Sequence, residues 1–166
     1  MSVPPQPVRE RPGRVAAASR RGELGSRAEL PAAIDAAVER RHGARAVLLL
    51  ALDLDDFRRY NADHGYAAGE ALLERAADEL VHADGGAFAL GADAFALVLE
   101  GTPEELWRGA AAALWSLDPG AGGPPLRASF GAAVIAGPGD DAGAALAQAE
   151  DRLVSQRNRA PSVAER

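Results

Sequence analysis

The chain has 166 residues, of which 48% are apolar but only 5% aromatic, with no cysteine and a formal net charge of −6. That length suits one domain with a sizeable core, and alanine, leucine and valine must do most of the packing. The missing cysteines exclude disulfides, thiolate metal ligands and cysteine nucleophiles, and no apolar run approaches the ~18 residues of a membrane span.

Charge is unevenly placed. Residues 1–45 carry nine arginines against five acids, a balance of +4, and the remainder carries nine against nineteen, a balance of −10. An acidic main body argues against a nucleic-acid partner, which calls for a basic face. Every basic residue is arginine, so any phosphate contact must use its planar fork of donors. Residues 1–22 contain four prolines and no apolar periodicity. They are expected to form a disordered tail, which lacks the apolar centre of a signal peptide. A cytoplasmic protein is the expectation, organised as this tail, one domain over residues 23–160 and a short tail over 161–166.

Along the chain, Ser26 and Glu29 stand at capping-box spacing, and Leu30, Ile34, Ala37 and Val38 predict a helix ending near Arg41. Ala46 to Leu52 is an apolar run of strand length, suited to burial on both faces. A short helix over Arg58–Asn61, a turn marked by Gly65 and Gly69, and a long helix through Leu72, Leu73, Ala76, Ala77, Leu80 and Val81 follow. Residues 87–90 and 94–99 read as a β-hairpin around Gly91-Ala92-Asp93. Thr102-Pro103-Glu104-Glu105 opens a helix that runs to about Leu117, residues 118–125 form a Pro/Gly loop, Leu126–Ile135 is a strand, and Ala142–Arg157 is the last helix. The order α-β-α-α-β-β-α-β-α predicts an α+β layered domain, with its sheet covered mainly on one face.

The densest chemistry follows the first strand. Asp53-Leu54-Asp55-Asp56-Phe57-Arg58, Asn61, Gly65-Tyr66, Gly69-Glu70 and Leu73 lie at fixed offsets. Taken singly they admit plain structural roles: Asp53 and Asp55 as helix caps, Asn61 and Gly65 as turn residues. Taken together they resemble the GGDEF (diguanylate cyclase) signature D-x-D-x-F-K-x-x-N-D-x-x-G-H-x-x-G-D-x-x-L. The match in type is full at Asp53, Asp55, Phe57, Asn61, Gly65, Gly69 and Leu73, and conservative at Arg58 and Glu70. Gly91-Ala92-Asp93-Ala94-Phe95 falls where the family has its Gly-Gly-Asp-Glu-Phe turn. Ser129-Phe130-Gly131-Ala132-Ala133 is similar to a later S-x-G-x-A strand, and Ala149-Glu150 to the closing helix.

The resemblance implies a nucleotidyl-cyclase palm-like fold: a mainly antiparallel sheet, a hairpin carrying the signature turn, and flanking helices. It implies Asp53 and Asp93 as catalytic carboxylates that hold Mg²⁺ or Mn²⁺ with the Leu54 carbonyl. It also implies Asn61 and Glu70 at the guanine edge, and Arg58, Gly91 and Arg157 around the rest of a GTP molecule. An amide and a carboxylate suit a base edge that offers both acceptors and donors. The departures gather at the same place. Ala92 replaces a glycine able to adopt φ > 0, Ala94 replaces the glutamate, Tyr66 the histidine and Ala62 an aspartate, and a phosphate-gripping cation aligns with Pro161 or, shifted by one step, with Arg159. His82-Ala83-Asp84-Gly85 lacks the arginine of the family's inhibitory product site. The expected function is therefore a degenerate, catalytically impaired domain that binds a guanine nucleotide in cyclic di-GMP signalling, with a homodimer or a partner signalling protein as its mate. The alternatives are an active diguanylate cyclase converting two GTP to cyclic di-GMP, and a structural domain that binds no nucleotide.

Overall fold

A computed structural model of the chain describes residues 20–43, 45–81, 86–116, 127–135 and 140–159. Residues 1–19, the C-terminal tail, the His82–Gly85 stretch and the Pro/Gly loop after the fourth helix lie outside the described residues, as do Leu126 and Pro161. A 3-10 turn over Arg20–Glu23 comes first, and takes in the last three residues of the segment expected to be a tail.

The elements that follow are β1 (Gly25–Ser26), α1 (Leu30–Arg40), β2 (Ala46–Leu54), α2 (Phe57–His64), α3 (Tyr66–Val81), β3 (Gly86–Ala89), β4 (Ala94–Gly101), α4 (Pro103–Ser116), β5 (Ala128–Ile135) and α5 (Ala142–Arg159). The five strands form one sheet in the order β1-β3-β4-β2-β5. All pairs are antiparallel except β1 with β3.

β2 shows why the sheet has two cores. Side chains alternate across a strand with period two. Leu48, Leu50, Leu52 and Leu54 join Leu73, Leu80, Leu97 and Leu106 on the face covered by α2, α3 and α4. Val47, Leu49 and Ala51 join Leu30, Ile34, Val98, Ala149 and Leu153 under α1 and α5. The expectation of a sheet covered mainly on one face is thus corrected. β2 and β4 are apolar at odd and even positions alike, so neither face can be left to water.

Three local features needed the structure. β1 has no propensity signal, and its Gly25 exists for close approach: a Cβ there would lie 2.3 Å from the Phe88 ring. Gly69 sits within α3 rather than in a turn, because the Asn61 side chain fills the space where its Cβ would be, 1.7 Å away. The helix breaks at Gly65 instead, whose φ of 85° suits glycine. At the start of α4 the capping box is complete. The Thr102 N–H donates to Glu105 Oε2 at 2.8 Å and the Glu105 N–H to the threonine hydroxyl at 3.4 Å. Ser26 and Glu29 do interact, the Ser26 N–H and hydroxyl both donating to Glu29 Oε2 at 2.7 Å, but not as the expected capping box: Ser26 belongs to β1, and α1 starts later with Glu29 as its N-cap and no side-chain cap bond.

Candidate functional site

β2 ends where it is gripped from both sides. The Leu54 N–H donates to the Asp93 carbonyl at 3.0 Å, and the Asp55 N–H to the Arg127 carbonyl at 2.8 Å. The chain then turns sharply through Asp56, whose φ of 56° is the left-handed conformation that Asp tolerates better than most side chains, and enters α2. These contacts bring the carboxylates of Asp53, Asp55 and Asp93 to one end of the sheet.

Asp53 has the same parity as Val47, Leu49 and Ala51, so it lies on the α5 side of the sheet. Its register partners are Ala94 on β4 and Ser129 on β5. The Ser129 hydroxyl is committed elsewhere, donating to Asp55 Oδ1 at 2.6 Å. From α5, Arg157 Nη2 comes within 2.8 Å of Asp53 Oδ1. The contact is a close ion pair on a buried oxygen whose angle is poor for a hydrogen bond. Burial pushes the Asp53 carboxyl above its ordinary value; Arg157 pulls it back, and Asp93 and Asp55 push it further up. The balance says that one guanidinium does not fully compensate this carboxylate.

A cleft of about 460 Å³ opens between α2 and the β3–β4 turn, lined by Phe57, Arg58, Asn61, Tyr66, Ala92 and Asp93. Asn61 Oδ1 is buried there without a hydrogen-bond partner, and the Tyr66 ring is 83% exposed at its edge. The cleft therefore unites three of the residues singled out in the sequence, Arg58, Asn61 and Asp93. Asp53 and Leu54, at the end of β2, are outside this lining but are linked to Asp93 by its charge and its carbonyl, and Arg157 reaches Asp53 from α5. Gly91 lies in the turn, where its N–H donates to the Ala94 carbonyl at 3.3 Å. Glu70 points outward, 69% exposed and 3.8 Å from Arg21 Nη1. Arg21 also donates to the Ala92 carbonyl at 2.9 Å, so it bridges α3 and the turn. Sequence reasoning missed Arg21, which falls among several arginines of a proline-rich leader.

The turn itself differs from expectation in one respect. Neither Gly91 nor Ala92 has a positive φ, and a Cβ at Gly91 would touch only the Ala94 methyl at 3.8 Å. Alanine at 92 thus imposes no backbone strain. A second cleft, of about 410 Å³, lies between β4 and α4. Its Arg45 and Glu105 pair at 3.5 Å, and its Arg108 pairs with Glu104 at 2.7 Å, so these charges are already satisfied internally.

As a cation site, the strand end offers hard carboxylate oxygens. Among the described residues no three His, Cys, Asp or Glu side chains group as metal ligands. Mg²⁺ commonly takes one or two carboxylates and completes its shell with phosphate and water. Asp53 and Asp93 fit that need, and the buried Asp53 Oδ1 is an acceptor with no hydrogen bond. No helix among the described residues is long and apolar enough to cross a membrane.

A five-stranded, mainly antiparallel α+β sheet with carboxylates gathered at a hairpin turn defines a GGDEF palm-like domain. The family model described as "Diguanylate cyclase, GGDEF domain" matches residues 22–161, and the chain belongs to that family. No curated protein matches it significantly in sequence. Among solved structures it resembles a sensory box/GGDEF family protein from Caulobacter crescentus, with TM-score 0.71, 26% identity, and coverage of 82% of this chain and 95% of that one. The GGDEF domain of DgcB from Caulobacter crescentus in complex with c-di-GMP is similar in fold at TM-score 0.66 and 19% identity, covering 81% of this chain and 86% of that one. So is the diguanylate cyclase SiaD in complex with its activator SiaC from Pseudomonas aeruginosa, at TM-score 0.70 and 20% identity. There the match covers 81% of this chain and 55% of the other. The chain is thus a GGDEF domain in sequence and in fold.

Proposed function

We propose that this chain is a catalytically impaired GGDEF domain that binds a guanine nucleotide and acts as a regulatory module in cyclic di-GMP signalling. The observation that carries the reading is the pairing of Asp53 with Ala94 across β2 and β4. Side chains at directly opposed positions stand about 5 Å apart. The carboxylate that the family places at position 94 would therefore stand over Asp53, and here a methyl group does.

The recognition half of the site is better kept. The Asn61 amide, buried beside Gly69 with a free acceptor, suits the donor edge of guanine, and Arg58 at the cleft wall suits phosphate. Glu70 would complete base reading by turning from Arg21, an exposed contact that costs little to break. Asp53, Asp93 and the Leu54 carbonyl would hold Mg²⁺ or Mn²⁺, which when bound neutralises charge developing on the phosphates. Loss of one such preorganised stabiliser typically costs about 10²–10³ in rate. The domain would work in the cytoplasm with another copy of itself or a signalling protein as partner.

One observation favours an active cyclase instead: the signature turn accommodates Ala92 without a left-handed residue. Two measurements separate the readings. Calorimetry with GTP and Mg²⁺ is expected to show binding that weakens at least ten-fold in Asn61→Ala, and chromatography after hours of incubation is expected to show GTP intact. Cyclic di-GMP formed by the parent and lost in Asp53→Ala would replace this reading with the active enzyme. No binding at millimolar GTP would leave a structural domain.

A further inference from the structure

The Arg157–Asp53 ion pair has no part in holding a nucleotide as so far described. Arg157 lies in the last turns of α5, where the unpaired carbonyls of a helix end favour a cation. From there it reaches Asp53, on which the charges of Asp93 and Asp55 both act. Neither register partner of Asp53 can help, because Ala94 has no polar group and the Ser129 hydroxyl is given to Asp55. The guanidinium is therefore the counter-cation of Asp53 in the nucleotide-free protein. A divalent ion bound to the same oxygen would stand within a few ångströms of it, and two cations at that distance repel strongly.

We propose that Arg157 and a divalent metal ion compete for Asp53, so that the protein without nucleotide holds the metal weakly and Arg157 must leave before the metal is bound. This rests on the reading of Asp53 as a metal ligand. A nucleotide supplies the exit, since its phosphates offer Arg157 a bidentate partner better than one off-angle carboxylate oxygen. Metal and nucleotide then enter together, and Arg157 sets the dependence of one on the other. Family resemblance alone assigns this arginine only to phosphate.

The test is a titration with Mn²⁺ alone, without nucleotide, following the free-ion resonance signal on the full chain. Arg157→Gln is expected to bind Mn²⁺ roughly ten-fold more tightly than the parent, the scale of one charged contact. Adding Asp53→Asn to that variant is expected to remove the gain, and thermal melts check that each variant is folded. Equal Mn²⁺ affinity in the parent and Arg157→Gln, both lost on Asp53→Asn, would overturn the competition while leaving Asp53 as a metal ligand. An equal gain in Arg159→Gln, which removes the same charge from the same end of α5, would overturn it in favour of a general field effect. No Mn²⁺ binding in any variant would overturn the metal reading and this inference with it.

Discussion

Asp53 is held in the charged state against its surroundings, and that has a measurable sign. Its carboxyl is raised chiefly by burial. Between the ordinary carboxylate pKa and the raised value, the folded protein keeps a proton that the unfolded chain has released. The contribution of this group to stability therefore falls as pH rises through that window. Asp53→Asn, neutral throughout, is expected to raise Tm at neutral pH, with the gain shrinking as pH is lowered towards about 4. Arg157 is 45% exposed and can turn to water when its partner is gone. A loss of Tm at neutral pH would show that the ion pair outweighs the burial. Much of this site was legible as residue types at fixed offsets: Asp53, Asn61, Gly69 and Asp93 were all picked out before any geometry. Two things were not. The direction in which Arg157 points depends on the register of α5 over β5. The lack of backbone strain at Ala92 depends on a φ angle that no offset encodes.

At the scale of elements, α5 docks on β5 with no room to spare at Gly131. A Cβ at Gly131 would lie 1.9 Å from the Ala149 carbonyl oxygen and 2.4 Å from the Leu153 amide nitrogen. Both are backbone atoms, so no rotamer can relieve the clash. Gly131→Ala is expected to cost about 3 kcal/mol in urea unfolding, and by lifting α5 to loosen the Arg157–Asp53 contact. A change within 0.5 kcal/mol, the scale of an ordinary surface substitution, would mean that the helix slides at no cost. Helical periodicity made α1 and α3 readable, the Thr102–Glu105 start signal made α4 so, and β2 and β4 showed as apolar runs. β1 was not readable, because two residues of glycine and serine have no pattern. They become a strand only because Phe88 lies over one of them and β3 offers a free edge.

Over the whole molecule, β2 makes the two faces interdependent. Leu49 and Leu50 are adjacent in sequence, both essentially inaccessible to solvent, and belong to opposite cores. Leu49→Ala and Leu50→Ala are each expected to cost about 2–5 kcal/mol, in one unfolding transition seen alike by fluorescence and circular dichroism. A two-stage transition in either would show that the faces unfold separately. The mistaken expectation of a mostly one-sided sheet has its cause at this scale. The number of helices does not tell how they are shared between two faces, whereas the doubly apolar strand did carry that information.

β5 is an edge strand, and its outward backbone groups are met by α5: the Phe130 N–H donates to Gln156 Oε1, and the Ala132 carbonyl accepts from Arg152. Such an edge is closed to a further strand at those two points. It also gives the outermost strand an amide whose deuterium uptake is governed by a helix. The Phe130 proton exchanges with solvent once the Gln156 side chain swings aside, so a single resonance on the outermost strand reports how firmly one side chain of α5 holds its place.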